Sequence, residues 1–147
     1  MQLSSLKDTK SLSKKISKII KTGDVIFLYG EIGTGKTTFV RFFINHLEVE
    51  NGIKKSDILS PTFNIVYDYE IGKVKVYHYD LYRLKNVKEL YELDMFENFK
   101  NNISIIEWPE ILINELKKEN YYYIKFSFVN NITREIKLNH NNKSIIL

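Results

Sequence analysis

The chain has 147 residues, enough for one ordinary domain that buries about 70% of its unfolded surface. Hydrophobic residues at 44% and charged residues at 27% exclude a disordered chain, and the absence of cysteine excludes disulfides, thiolate-held metals and thiol catalysis. The net charge of +4 rests on 19 Lys with only 3 Arg and no Ala, a compositional skew that makes it a weak sign of nucleic-acid binding.

Residues 9–21 (TKSLSKKISKIIK) set Leu12, Ile16, Ile19 and Ile20 at helical spacing with lysines opposite, and predict an amphipathic helix stopped near Gly23. Residues 24–29 (DVIFLY) form a compact apolar run, the pattern of a strand buried on both faces of a mostly parallel sheet. Residues 37–47 follow as a helix. Residues 63–69 and 73–80 flank Ile71-Gly72 and predict a hairpin. Residues 86–99 predict a helix with Leu90, Leu93 and Phe96 turned inward, and residues 103–106 a buried strand. Residues 121–129 and 132–138, joined by Asn130-Asn131, predict a closing hairpin with a tight turn. The expected fold is a single α/β domain over residues 1–147, P-loop NTPase-like, with a mixed, partly parallel sheet, flanking helices and late antiparallel hairpins. No apolar run reaches 18 residues and no signal-peptide core opens the chain, so a cytoplasmic protein without membrane attachment is expected.

Residues 30–37, Gly30-Glu31-Ile32-Gly33-Thr34-Gly35-Lys36-Thr37, match G-x-x-x-x-G-K-[ST] at every fixed position. Glycines let backbone N–H groups curl around phosphate oxygens, Lys36 reaches the terminal phosphates, and the Thr37 hydroxyl suits Mg²⁺. The motif lies between a buried strand and a helix, the context it requires, and Lys36 is expected on a solvent-facing loop. A phosphate loop implies ATP or GTP without naming a reaction. The base-reading N-K-x-D segment of GTPases is missing, since the pair Asn142-Lys143 is followed by Ser144 and Ile145. Small kinases close an arginine-rich lid, and this chain has only Arg41, Arg83 and Arg134.

Two carboxylates end apolar strand runs, where open α/β sheets place their ligands. Asp80 closes residues 74–80 and Glu107 closes residues 103–107. A carboxylate so placed downstream of a phosphate loop has the pattern of a Walker-B acid, which orients the Mg²⁺ water shell or the attacking water. His78, between two tyrosines, reads as a packing or surface residue. His46 and His140 have no partners at ligand spacing, and the run Tyr121-Tyr122-Tyr123 reads as packing.

The segments LYGEIGTGKTTFVR (28–41), SPTF (60–63), VYHYDLYRL (76–84) and IIEWPE (105–110), in this order and spacing, resemble the TsaE (YjeE) family of small bacterial ATPases over about residues 9–138. The resemblance implies a part in making threonylcarbamoyladenosine beside the anticodon of tRNA. Its partners would be the TsaB–TsaD pair, with ATP hydrolysis supporting turnover of the transferase and tRNA met only through the assembly. Matched residue by residue, Gly33, Thr34, Gly35, Lys36, Thr37 and Thr38 would hold the phosphates of ATP, with Gly30 among the nucleotide-binding residues. Thr37 and Glu107 would hold Mg²⁺, and Asp80 would be a second essential acid, giving Lys36, Asp80 and Glu107 the catalytic roles. Thr62 would sit on a switch-like loop, Trp108 near the nucleotide and Thr9 near the base. Arg134 resembles a family arginine on the last hairpin, and a structural surface arginine fits equally. Phe42 and Asp94 stand where the family usually has glycine, the second in a partner-facing region. Two other functions stay open beside the ATPase: a phosphotransferase with a small-molecule acceptor, and a nucleotide-dependent binding module.

Overall fold

The computed structural model describes residues 1–112, 114–116, 121–141 and 143–145; Asn142 of the Asn142-Lys143 pair lies outside them. The chain opens with β1 (Gln2–Leu3), α1 (Leu6–Ser17), β2 (Val25–Tyr29) and α2 (Lys36–Glu50). It continues through the hairpin β3 (Val66–Ile71) and β4 (Val74–Asp80), two short helices α3 (Lys88–Glu92) and α4 (Met95–Asn101), and β5 (Ile103–Glu107). After a 3-10 turn at Pro109–Leu112 come β6 (Tyr121–Phe128), β7 (Arg134–His140) and β8 (Lys143–Ser144).

The strands join one sheet in the order β1-β7-β6-β2-β5-β4-β3, with β8 also on β7. The central strands run parallel: β2 pairs with β5 on one side and β6 on the other, and β4 pairs with β5. Both ends are antiparallel. The apolar run of β2 is explained by its place: alternate residues face opposite layers. Ile26 and Leu28 join a core with Leu12 and Ile16 of α1 and Phe39, Val40, Phe43 and Ile44 of α2. Val25 and Phe27 join a second core with Tyr79, Leu90, Met95 and Ile106 under α3 and α4. The sheet is thus a layer between two helical faces. Among the described residues no helix is long and apolar enough to cross a membrane.

Local chemistry moves several boundaries. Helix α1 begins three residues earlier than the apolar spacing suggests, because Ser5 caps it: Asp8 N–H donates to Ser5 Oγ at 3.2 Å, and Asp8 Oδ2 accepts from Ser4 N–H at 2.9 Å. The helix expected over 86–99 is two, parted at Asp94, whose φ of 50° is left-handed. The turn between β6 and β7 is not two residues but five. Asn130 Oδ1 accepts from Ile132 N–H and Thr133 N–H, drawing Ile132 out of the strand and onto the surface.

Candidate nucleotide site

Strand β2 delivers the chain to Gly30, whose φ of 138° no L side chain adopts easily. A Cβ there would lie 2.5 Å from the Phe126 carbonyl oxygen and 2.9 Å from Thr34 Oγ1, so only glycine lets the loop lie against β6. The loop is braced from within by Thr34 Oγ1, which donates to the Glu31 carbonyl at 2.8 Å. Gly35, left-handed at φ 105°, turns the chain into α2, whose first amides have no intrahelical acceptor and so suit an anion at the loop.

Lys36 is not on a solvent-facing loop. It is the first residue of α2 and only 4% exposed. Its Nζ folds back to donate to the carbonyls of Gly30 (2.6 Å) and Glu31 (2.9 Å), and it lies 4.0 Å from the centre of the Trp108 ring. Burial pushes its ammonium below the ordinary value, against the pull of Glu107, Asp80 and Glu110.

The parallel register of β4 on β5 sets Asp80 beside Glu107 at the strand ends. Neither is a solvated strand-end carboxylate: they are 4% and 2% exposed. Thr37 Oγ1 lies 2.8 Å from Glu107 Oε1 and 3.1 Å from Oε2, joining the start of α2 to the end of β5. Asp80 Oδ2 accepts from Thr62 Oγ1 at 2.6 Å, and Oδ1 accepts from Tyr82 N–H at 3.0 Å. Thr62 in turn meets Ser60 Oγ at 2.8 Å. Trp108, at φ 57°, leaves β5 and packs on Tyr82 with ring centres 4.9 Å apart.

These side chains line a cleft of about 350 Å³ that holds Gly33, Lys36, Thr37, Thr62, Asp80, Glu107 and Trp108 together. A second cavity of about 400 Å³ adjoins it across Gly33, Gly35 and Thr38, and brings in Thr34, Thr9 and Arg134. Thr9 Oγ1 donates back to the Ser5 carbonyl at 3.4 Å, and Arg134 Nη1 donates to the Ile132 carbonyl at 2.5 Å. Gly30 stays behind the loop, against β6. Sequence reasoning missed two members. Tyr82 is the neighbour of Trp108, and His78, read as packing, puts Nε2 2.9 Å from Glu107 Oε1. The signal for His78 was strand alternation, which sets residues 78 and 80 on one face.

A buried parallel strand, a glycine-rich loop and a helix opening on that loop, with acids ending the neighbouring strands, define the P-loop class of α/β fold. Residues 3–136 match the family described as threonylcarbamoyl adenosine biosynthesis protein TsaE. The chain belongs to the TsaE family. It is 42% identical over 110 residues to the Rickettsia felis tRNA threonylcarbamoyladenosine biosynthesis protein TsaE, a match covering 75% of this chain and 62% of that relative, less than two thirds of its length. The protein of the same name from Aquifex aeolicus is 39% identical over 108 residues, 74% of each chain. The crystal structure of YdiB from Bacillus subtilis superposes with a TM-score of 0.71 at 27% identity, covering 92% of this chain and 80% of that one.

Proposed function

We propose that this protein binds and slowly hydrolyses ATP with Mg²⁺ in tRNA threonylcarbamoyladenosine biosynthesis, supporting turnover of the TsaB–TsaD transferase and meeting tRNA only through that assembly. The observation that carries the reading is the contact of Thr37 Oγ1 with the Glu107 carboxylate across the floor of the phosphate cleft. A hydroxyl that gives its hydrogen to a carboxylate keeps its lone pairs for a hard cation. The donor set of hydroxyl and carboxylate oxygens fits Mg²⁺, which binds through one or two carboxylates and substrate phosphates. Consistently, no group of three or more His, Cys, Asp or Glu among the described residues could hold a metal alone. The bound cation would neutralise phosphate charge as it develops.

In this reading the amides of Gly33 to Thr38 cradle the phosphates and Lys36 Nζ leaves its two carbonyls to reach the terminal one. Asp80 orients the attacking water, and Thr62, bonded to Asp80, reports the γ-phosphate. Trp108 flanks the phosphates, while Thr9 and Arg134 line the cavity taken by the sugar and base.

The test is reconstitution with TsaB, TsaD, threonylcarbamoyl-adenylate and tRNA. Repeated product formation is expected only with hydrolysable ATP, and equal turnover without ATP would overturn the reading. Phosphate appearing on a small acceptor without TsaB and TsaD would make the protein a phosphotransferase instead. Glu107→Gln and Asp80→Asn keep shape and remove charge, so each should lower ATP turnover in that assembly at least tenfold, about 1.4 kcal/mol in barrier. Nucleotide affinity, measured by calorimetry, should move much less. A variant with normal turnover removes that acid from the mechanism.

A further inference from the structure

We infer that His78 is a positioning residue for the cation-binding carboxylate: it selects which oxygen of Glu107 is left free to take a ligand. The inference rests on the ATP–Mg²⁺ reading and adds a residue to it.

His78 sits on β4 one alternation before Asp80, with no exposed surface. Its Nε2 approaches Glu107 Oε1 at 2.9 Å, while Nδ1 is buried with no hydrogen-bond partner. A carboxylate oxygen accepts, so Nε2 carries the hydrogen of this contact, and Nδ1 is left without a partner. Leaving a buried polar atom without a partner is unfavourable. Packing does not account for that cost, because Val76, one alternation earlier on the same strand, fills the same face with apolar atoms alone.

Glu107 supplies the reason for an imidazole. Thr37 Oγ1 straddles the carboxylate at 2.8 and 3.1 Å, and a contact so divided distinguishes poorly between the two oxygens. His78 removes the ambiguity. With its N–H on Oε1, that oxygen takes two donors within 2.9 Å, whereas Oε2 keeps only the longer leg from Thr37. The carboxylate's last torsion is thereby held, and Oε2, with the single longer contact, is the oxygen with capacity for a further ligand on a residue that lines the cleft. Holding a ligand by a second donor behind it is the usual way a protein raises metal affinity without touching the metal.

The experiment titrates MgCl₂ into protein with ADP, reading the fluorescence of the single tryptophan, Trp108, which lines the cleft. His78→Leu removes the donor, and His78→Gln keeps an N–H at similar reach. We expect His78→Leu to raise the half-maximal Mg²⁺ concentration at least tenfold, with ADP affinity in EDTA within twofold of wild type. His78→Gln should stay within threefold in Mg²⁺. An unchanged Mg²⁺ requirement in His78→Leu overturns the inference and makes His78 a packing residue. If His78→Leu does not fold, His78→Asn replaces it as the variant too short to reach Glu107, and equal Mg²⁺ requirements in the Gln and Asn variants overturn the inference. Wild-type protein whose ADP binding ignores Mg²⁺ would sink the ATP–Mg²⁺ reading as well. Mg²⁺-dependent wild type with indifferent variants would sink only the role of His78.

Discussion

Lys36 shows how much one side chain can differ from its motif. The motif promises a cation reaching for phosphate, and the chain holds that cation against its own loop carbonyls and the face of Trp108. Two forces meet there: removal from water lowers the ammonium's proton affinity, and three nearby carboxylates raise it. Lys36→Met keeps the stem and removes the charge. It forfeits two hydrogen bonds and relieves the desolvation, so the melting temperature should stay within a few degrees of wild type. ATP affinity should fall at least 100-fold, about 2.7 kcal/mol, when measured by titration calorimetry. Unchanged affinity would remove the phosphate loop from nucleotide binding.

At the scale of elements, Asp94 joins a sequence departure to a backbone requirement. It occupies a left-handed position between α3 and α4 at φ 50°, where glycine carries no Cβ penalty and Asp a modest one. Asp94→Gly should therefore be neutral or stabilising by up to about 1 kcal/mol, and Asp94→Val should cost about 1–2 kcal/mol, both read from urea unfolding. A valine variant as stable as wild type would contradict the left-handed assignment. The strand, loop and helix of the phosphate site were legible because their signals are local: an apolar run, glycines at fixed offsets, a helix after them. Asp80 and Glu107 were legible as acids ending such runs. His78 was not, since its meeting with Glu107 spans 29 residues and depends on which strands pair. Strands β1 and β8, two residues each, are too short for alternation to register. The Ser5–Asp8 cap was present in the sequence, but the apolar spacing that located α1 does not reach it.

Over the whole molecule, Tyr79 ties the sheet to its second helical layer, its Oη accepting from Asn98 Nδ2 at 3.0 Å. Burial pushes its phenol up to about 12, and Tyr29 likewise. Because the folded value lies above the ordinary one of 10, the contribution is intact below pH ~10 and is lost as pH rises toward ~12, where the unfolded chain ionises first. Tyr79→Phe should lose about 1 kcal/mol at neutral pH and show a shallower fall in stability over that alkaline window. Parallel slopes for the two proteins would count against the buried phenol. The two helical layers also differ in construction. On one side α2 runs 15 residues; on the other α3 and α4 have five and seven, lengths that do not hold a helix without tertiary packing. Leu90 and Met95 are the buried anchors of that second layer. Amide protons should register the asymmetry: backbone exchange over residues 88–101 should outpace that of α2 at least tenfold. A protein built so would keep the α2 layer and its phosphate loop shut while the layer of α3 and α4 opens and recloses.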